Sequence, residues 1–146
     1  WLKKIEDVVP LAERQLLVFF RDGLVKKCDM RALMKAKPAF APVLNSDKLF
    51  RSVGVQVGGY GICWGEQLAI SDDDLFRHGV DVPLSMDDFR SFIADRVVNS
   101  AEAQQMLGCT RQNINDLIRR GKLHPIREDA KNKLFLKNEI QQRIQK

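Results

Sequence analysis

Between Thr110 and Arg120 the chain sets Arg111, Gln112, Asn115 and Arg119 at helical spacing, with Asp116 beside them and Asn113 at the edge. These residue types can read base edges. An Arg guanidinium can span guanine N7 and O6, and a Gln or Asn amide can span adenine N6 and N7. Ile114, Leu117 and Ile118 fall on the opposite face, so the polar row is the outward one. Thr110 suits an N-cap and Gly121 a stop, and Arg119 and Arg120 in the last turn are placed to hold phosphates. The competing reading of this segment alone is a solvated helix in an αα-hairpin that touches no nucleic acid.

The flanking residues specify what would position that row. Ser100 is expected to cap a first helix that Gly108 breaks, and Ala103 is small enough for close approach of a second helix. Met106, Leu107, Ile114, Leu117 and Ile118 supply a shared core, so the pair reads as a helix-turn-helix. Two apolar-containing runs follow, Lys122–Arg127 and Lys133–Lys137, separated by the polar stretch Glu128-Asp129-Ala130-Lys131-Asn132-Lys133. A basic hairpin in that position is a wing, with Lys122, Arg127, Lys131, Asn132 and Lys133 available to a phosphate backbone. Asn138 is expected to cap a last helix with Ile140 and Ile144 turned inward. His124, next to Pro125, reads as a structural rather than a catalytic histidine.

The pattern Ala101…Leu107-Gly108-Cys109-Thr110…Ile114…Leu117-Ile118…Gly121-Lys122-Leu123…Ile126…Phe135…Glu139-Ile140 resembles the excisionase and MerR-like winged helix-turn-helix family. The resemblance implies base contacts from the second helix and phosphate contacts from the wing, on double-stranded DNA. Two departures from full-length MerR regulators stand out. The aromatic pair that normally follows the recognition helix is missing, and no long dimerisation helix follows.

Residues 1–80 read as a small α+β domain built on antiparallel hairpins. Leu16–Phe20 and Leu24–Cys28 flank Arg21-Asp22-Gly23, a strong hairpin signal. Asp29 suits the cap of a short helix over Met30–Lys35, and Phe50–Val57 is expected to pair with Tyr60–Trp64 across Gly58-Gly59. Ser71 caps a helix whose first turn holds Asp72, Asp73 and Asp74, a capping arrangement in preference to a metal site. Residues 81–98 read as a connector, with Ser85 capping a helix that carries Phe89, Phe92, Ile93 and Val97 in a stripe. The "FxDG" run ending at Gly23, the Asp29 that follows, and Gly59-Tyr60-Gly61-Ile62-Cys63-Trp64 resemble a bacterial domain of unknown function, number 2442, over about residues 5–80. That resemblance implies a fold and no chemistry; its members sit in bacterial proteins, some in operons like toxin–antitoxin pairs.

Charge supports the division. Residues 1–80 hold 12 Lys/Arg against 10 Asp/Glu, 81–98 hold 2 against 4, and 99–146 hold 10 against 5, so the last segment matches the whole excess of +5. A basic third beside a helix-turn-helix is the footprint of a nucleic-acid module. Cys28, Cys63 and Cys109 are scattered, without metal-ligand spacing, and read as reduced thiols of a cytoplasmic protein. No apolar run is long enough for a membrane span, and Trp1–Lys4 lacks the apolar core of a signal peptide. The absence of an initiating Met fits a trimmed chain. No catalytic order, phosphate loop or cofactor motif is present, so the expectation is no enzyme, no metal and no cofactor. The expected fold class is α+β: a small N-terminal domain, a connector over 81–98 and an α-rich winged helix-turn-helix over 99–146. The expected function is a DNA-binding transcriptional regulator, homodimeric through its N-terminal part. The alternative is an antitoxin-like module that binds a toxin partner and regulates its own gene.

Overall fold

The computed structural model describes residues 3–144. Trp1 and Leu2, the first half of the Trp1–Lys4 segment that lacks a signal-peptide core, lie outside the described residues, as do Gln145 and Lys146. The chain is mixed α and β, the sheets among the described residues are all antiparallel, and it divides into two compact units between Met86 and Asp87.

The N-terminal unit opens with strand β1 (Ile5–Pro10), then β2 (Gln15–Phe20) and β3 (Val25–Asp29). The Arg21-Asp22-Gly23 turn joins β2 to β3 as the sequence predicts. Phe20 N–H donates to Leu24 O at 2.9 Å, and the Asp22 carboxylate accepts from Leu24 N at 3.1 Å. Three short helices follow, α1 (Arg31–Lys35), α2 (Ala41–Asn45) and α3 (Asp47–Phe50), then strands β4 (Gly54–Val55), β5 (Gly61–Trp64) and β6 (Leu68–Ser71). Helix α4 (Asp72–His78) and strand β7 (Val80–Asp81) complete the unit. One sheet has the order β1-β2-β3-β7 and a second the order β4-β5-β6. Their shared core includes Leu16, Val18, Phe20, Phe50, Ile62 and Trp64.

The predicted strand over Phe50–Val57 is largely not one. Ser46 caps α3 by accepting from Leu49 N at 3.2 Å, and Asp47 pairs with Arg51 at 2.9 Å, which holds Phe50 in a helical turn. Only Gly54 and Val55 pair with β5, and the connection through Gly58-Gly59 is a 3-10 turn. Strands β1 and β6 are additions to the sequence reading. Asp29 stands one residue before the α1 cap position, where its carboxylate accepts from Arg31 N at 3.1 Å. Ser71 caps α4 as expected, accepting from Asp74 N at 3.1 Å. Asp73 and Asp74 of that first turn pair with Arg77.

The C-terminal unit contains α5 (Met86–Arg96, whose first residue falls on the dividing line), β8 (Val97–Asn99), α6 (Ser100–Leu107) and α7 (Arg111–Arg119). After these come β9 (Arg127–Glu128), β10 (Lys133–Leu136) and α8 (Lys137–Ile144). Its sheet has the order β8-β10-β9. Residues 81–98, read as a connector, are structural at both ends. Asp81 lies in β7, and Val97, placed above on a helical stripe, begins β8 and pairs with Leu136. The cap of α6 is Asn99 rather than Ser100. Asn99 Oδ1 accepts from Glu102 N at 2.8 Å while Glu102 Oε1 accepts from Asn99 N at 3.2 Å, a reciprocal box. Asn138 lies inside the first turn of α8, not at its cap, and Ile144 is exposed, whereas Ile140 is buried. The core is Val98, Ala103, Ile114, Leu123, Phe135 and Ile140, with Met106, Leu107, Leu117 and Ile118 packed against it.

The capping box makes a discriminating prediction. Asn99→Ala removes the acceptor for Glu102 N and is expected to cost about 1 kcal/mol, whereas Ser100→Ala, inside the helix, costs much less. Urea denaturation of the full chain followed by far-ultraviolet circular dichroism checks it, and equal losses for the two variants would contradict the assignment.

Candidate nucleic-acid interface

Helix α7 begins where Thr110 accepts from Asn113 N at 3.2 Å and ends at Arg120, with Gly121 at positive φ. Gly108 ends α6 in the left-handed region, φ 63°, where a side chain would be strained. With α7 fixed at both ends, the fully buried Ile114 and the half-buried Leu117 and Ile118 hold its back against the core. Arg111, Gln112, Asn115 and Arg119 are thereby exposed together on the outward side, with Asp116 half-buried beside them.

The β9–β10 hairpin comes up against this helix. Arg111 donates from its guanidinium to the Lys131 carbonyl at 3.2 Å, and Lys133 Nζ donates to Asn115 Oδ1 at 2.8 Å. Asn115, Ile118, Arg119, Glu128 and Lys133 enclose a small hollow of about 190 Å³ between helix and hairpin. Asp129 shapes the hairpin tip: its carboxylate accepts from Lys131 N at 2.9 Å and Asn132 N at 2.6 Å, and its own N–H donates to Asn132 O at 3.0 Å. Those two amide donors hold the Asp129 carboxyl below the usual carboxylate range. Lys131 is exposed, as are Arg127 and Asn132, so the tip presents cations and an amide to solvent.

Asp116 is the acidic exception on the face. It pairs with Arg119, and with Arg120 at 3.4 Å, and the hydrogen bond from Arg119 is the main cause that holds its carboxyl below the usual range. Of the residues singled out from sequence, Arg111, Asn115, Arg119, Lys131 and Lys133 are thus brought together. Gln112 is exposed beside them, and Thr110 serves as the cap. Lys122 is exposed just after α7, its N–H donating to Leu117 O at 2.8 Å. Asn113 and Arg120 line a different hollow, about 380 Å³, with Cys109, Asp116 and Arg143. Lys133, read as a free phosphate cation, is half-buried and committed to Asn115. Three features of the candidate site escaped the sequence reading: the Asp116 clamp, the Asp129 turn and the place of Arg143 beside Asn113 and Arg120. The first two had local signals, an Asp three and four residues before Arg and an Asp two and three residues before amides it can accept from.

His124 sits beside the hairpin, its N–H donating to Glu139 Oε1 at 2.7 Å, which fits a structural role. Among the described residues there is no cluster of three or more metal-ligating side chains, and no helix is long and apolar enough to cross a membrane. Cys28 is buried with its Sγ 3.5 Å from Leu75 O, and burial pushes its thiol up to about 11.

Residues 5–81, more than half of the chain, match the family described as "Protein of unknown function (DUF2442)". The chain belongs to that family. Packing accounts for two of the residues that carry the resemblance, Trp64 and Gly59. Trp64 Nε1 donates to Phe50 O at 2.9 Å in the core, with its ring stacked on Phe50 and edge-on to Phe40. Gly59 lies so close to β1 that a Cβ there would stand 2.6 Å from Ile5 O, which only glycine tolerates. No functionally curated protein matches the chain. Among solved structures, the crystal structure of "Putative DNA Binding Protein NE0471" from Nitrosomonas europaea is similar at 20% identity and a TM-score of 0.46. That likeness covers 84% of this chain and 79% of the other. Likeness at that level defines neither fold nor function for this chain.

Asp129 offers a test of the hairpin tip. Its depressed carboxyl means that the turn's contribution is present above the ordinary carboxylate range and is lost as pH falls through the folded-state value. Asp129→Ala is expected to speed hydrogen exchange at the Lys131 and Asn132 amides near neutral pH, while the amides of α7 stay unchanged. Unaltered exchange at the tip would remove Asp129 from that role.

Proposed function

We propose that the chain is a sequence-specific DNA-binding protein, a transcriptional regulator rather than an enzyme, whose C-terminal unit works as a winged helix-turn-helix of the excisionase/MerR-like kind. The observation that carries this reading is the exposed row Arg111, Gln112, Asn115 and Arg119, tied through two hydrogen bonds to a hairpin whose tip presents basic side chains. In this reading α7 enters the major groove and its Arg, Gln and Asn side chains meet base edges. Lys122, Arg127, Lys131 and Asn132 follow the phosphates. Lys133 acts by aiming Asn115 as well as by its charge.

Binding by a face of this charge releases counterions, so affinity should fall steeply with added salt. Titrating the full chain against duplex DNA at two salt concentrations tests it, and a folded chain that binds no DNA at low salt would overturn the proposal. Within the same series, Gln112→Ala or Asn115→Ala should each cost about 1–3 kcal/mol at a preferred site and relax sequence preference. Lys131→Ala should weaken binding to every sequence alike and flatten the salt slope. Equal losses on preferred and random duplexes for the helix variants would show that α7 does not read bases.

One module of this size reads few base pairs, and useful specificity then calls for two copies on a two-fold site. We assign the pairing to residues 1–98, with the apolar side of α5 as the surface best suited to it: Phe92 and Ile93 are 53% and 58% exposed. Light scattering is expected to show a dimer of the full chain, and a monomer for Phe92→Glu with Ile93→Glu. A monomeric parent chain rejects this assignment and leaves DNA binding to be judged by the titrations.

A further inference from the structure

A hollow of about 540 Å³ opens within the N-terminal unit, within the size range of small-molecule sites. Its apolar wall is made by Ala32 and Leu33 of α1 and by Val80 and Val82 at and after β7. An adjoining hollow of about 350 Å³ shares Ala32, Leu33 and His78 with it and reaches Lys37 and Asp74. The His78 ring is held in place, with Nδ1 2.8 Å from the Asp74 carbonyl oxygen.

The charged side chains around this groove are not equally available. Its carboxylates are each held by a cation. Asp29 pairs with Arg31 at 2.7 Å, Asp81 with Lys26 at 3.1 Å, and Asp74 with Arg77 at 2.7 Å. Lys27, which lines the larger hollow directly, and Lys37 at the far end have no ion-pair partner among the described residues. An apolar wall with uncommitted positive charge beside it complements one class of ligand. We propose that this groove binds a small organic monocarboxylate, with its aliphatic or aromatic body on Leu33, Val80 and Val82 and its carboxylate on Lys27. All of the site but Val82 stands in the DUF2442 segment, and it would give the regulator proposed above an effector site while standing or falling independently of it.

Octanoate and octanol, which share a chain and differ in charge, test it when titrated into the full-length protein with backbone amide shifts recorded. Octanoate is expected to shift the amides of Ala32, Leu33 and Val80 and to bind about fivefold more tightly than octanol, as expected for one partly exposed ion pair. Lys27→Gln, on an exposed strand position, should keep the shifts and abolish the preference. Shifts confined to other residues, no shifts at all, equal affinity for acid and alcohol, or a preference that survives Lys27→Gln would each overturn the proposal.

Discussion

Ile114 has no exposed surface, and the outward face of α7 depends on that burial. It belongs to one core with Val98, Ala103, Phe135 and Ile140, contributed by β8, α6, β10 and α8, so the position of α7 is tied to four other elements of the unit. Fully burying an Ile is worth about 1.5–3 kcal/mol, more than any single polar contact on the opposite side of the helix. Rolling α7 by even one residue would bring Ile114 toward water and Gln112 or Asn113 toward the core, where an unpaired amide is costly. The direction in which Arg111, Asn115 and Arg119 point is therefore a consequence of apolar packing behind them. Ala103, equally buried, supports the same geometry, because a larger side chain would lift α6 from the shared core.

The polar contacts on the face act at a smaller scale. Ion pairs at the surface, such as Asp116 with Arg119 and Arg120, contribute little to stability, because water screens them and ordering long side chains costs entropy. They hold long side chains near the helix when nothing is bound, and they lower the field of a face that would otherwise repel itself. The two bonds from α7 to the hairpin, Arg111 to Lys131 O and Lys133 to Asn115, do something the core cannot: they set the hairpin tip relative to the helix. Both engage side chains of the exposed α7 row, so the hairpin position and the orientation of Arg111 and Asn115 are coupled.

What the sequence made legible was whatever is decided locally. The β2–β3 hairpin was readable from Asp22-Gly23, α7 from Thr110 and the Ile114, Leu117, Ile118 spacing, and the basic balance of residues 99–146 from counting. What it concealed was decided by partners distant in the chain or by competition between equivalent signals. Val97 and Val98 continue the helical spacing of Phe89 and Ile93, and only pairing with Leu136 and Phe135 turns them into a strand. Phe50 follows a capping Ser-Asp pair and is held by Trp64, so its aromatic, strand-favouring character is overridden by the core. Asn99 and Ser100 are both good caps, and the choice falls to Asn99 because Glu102 stands three residues later. Asp116 was visible on the face, but its function as a clamp needed the rotamers of two arginines.

Helix α5 leaves an apolar pair, Phe92 and Ile93, uncovered. It is 11 residues long with no buried side chain, shorter than the roughly 12–15 residues at which isolated helices become even marginal in water. Its acidic first turn, Asp87 and Asp88, and Arg96 in its last complement the helix dipole, but such terms amount to about 0.3–1 kcal/mol each. Arg96 adds a bond to Gln141 at 2.9 Å, which anchors the C-terminal end. Phe89 is half-buried, whereas Phe92 and Ile93 face solvent, and burying those two side chains would contribute more than the dipole and the bond combined. A second copy set antiparallel about a two-fold axis would bring the acidic start of one helix toward the Arg96 end of the other while covering both apolar pairs. On the DNA-binding reading, covering that apolar pair would also place two reading helices on one duplex.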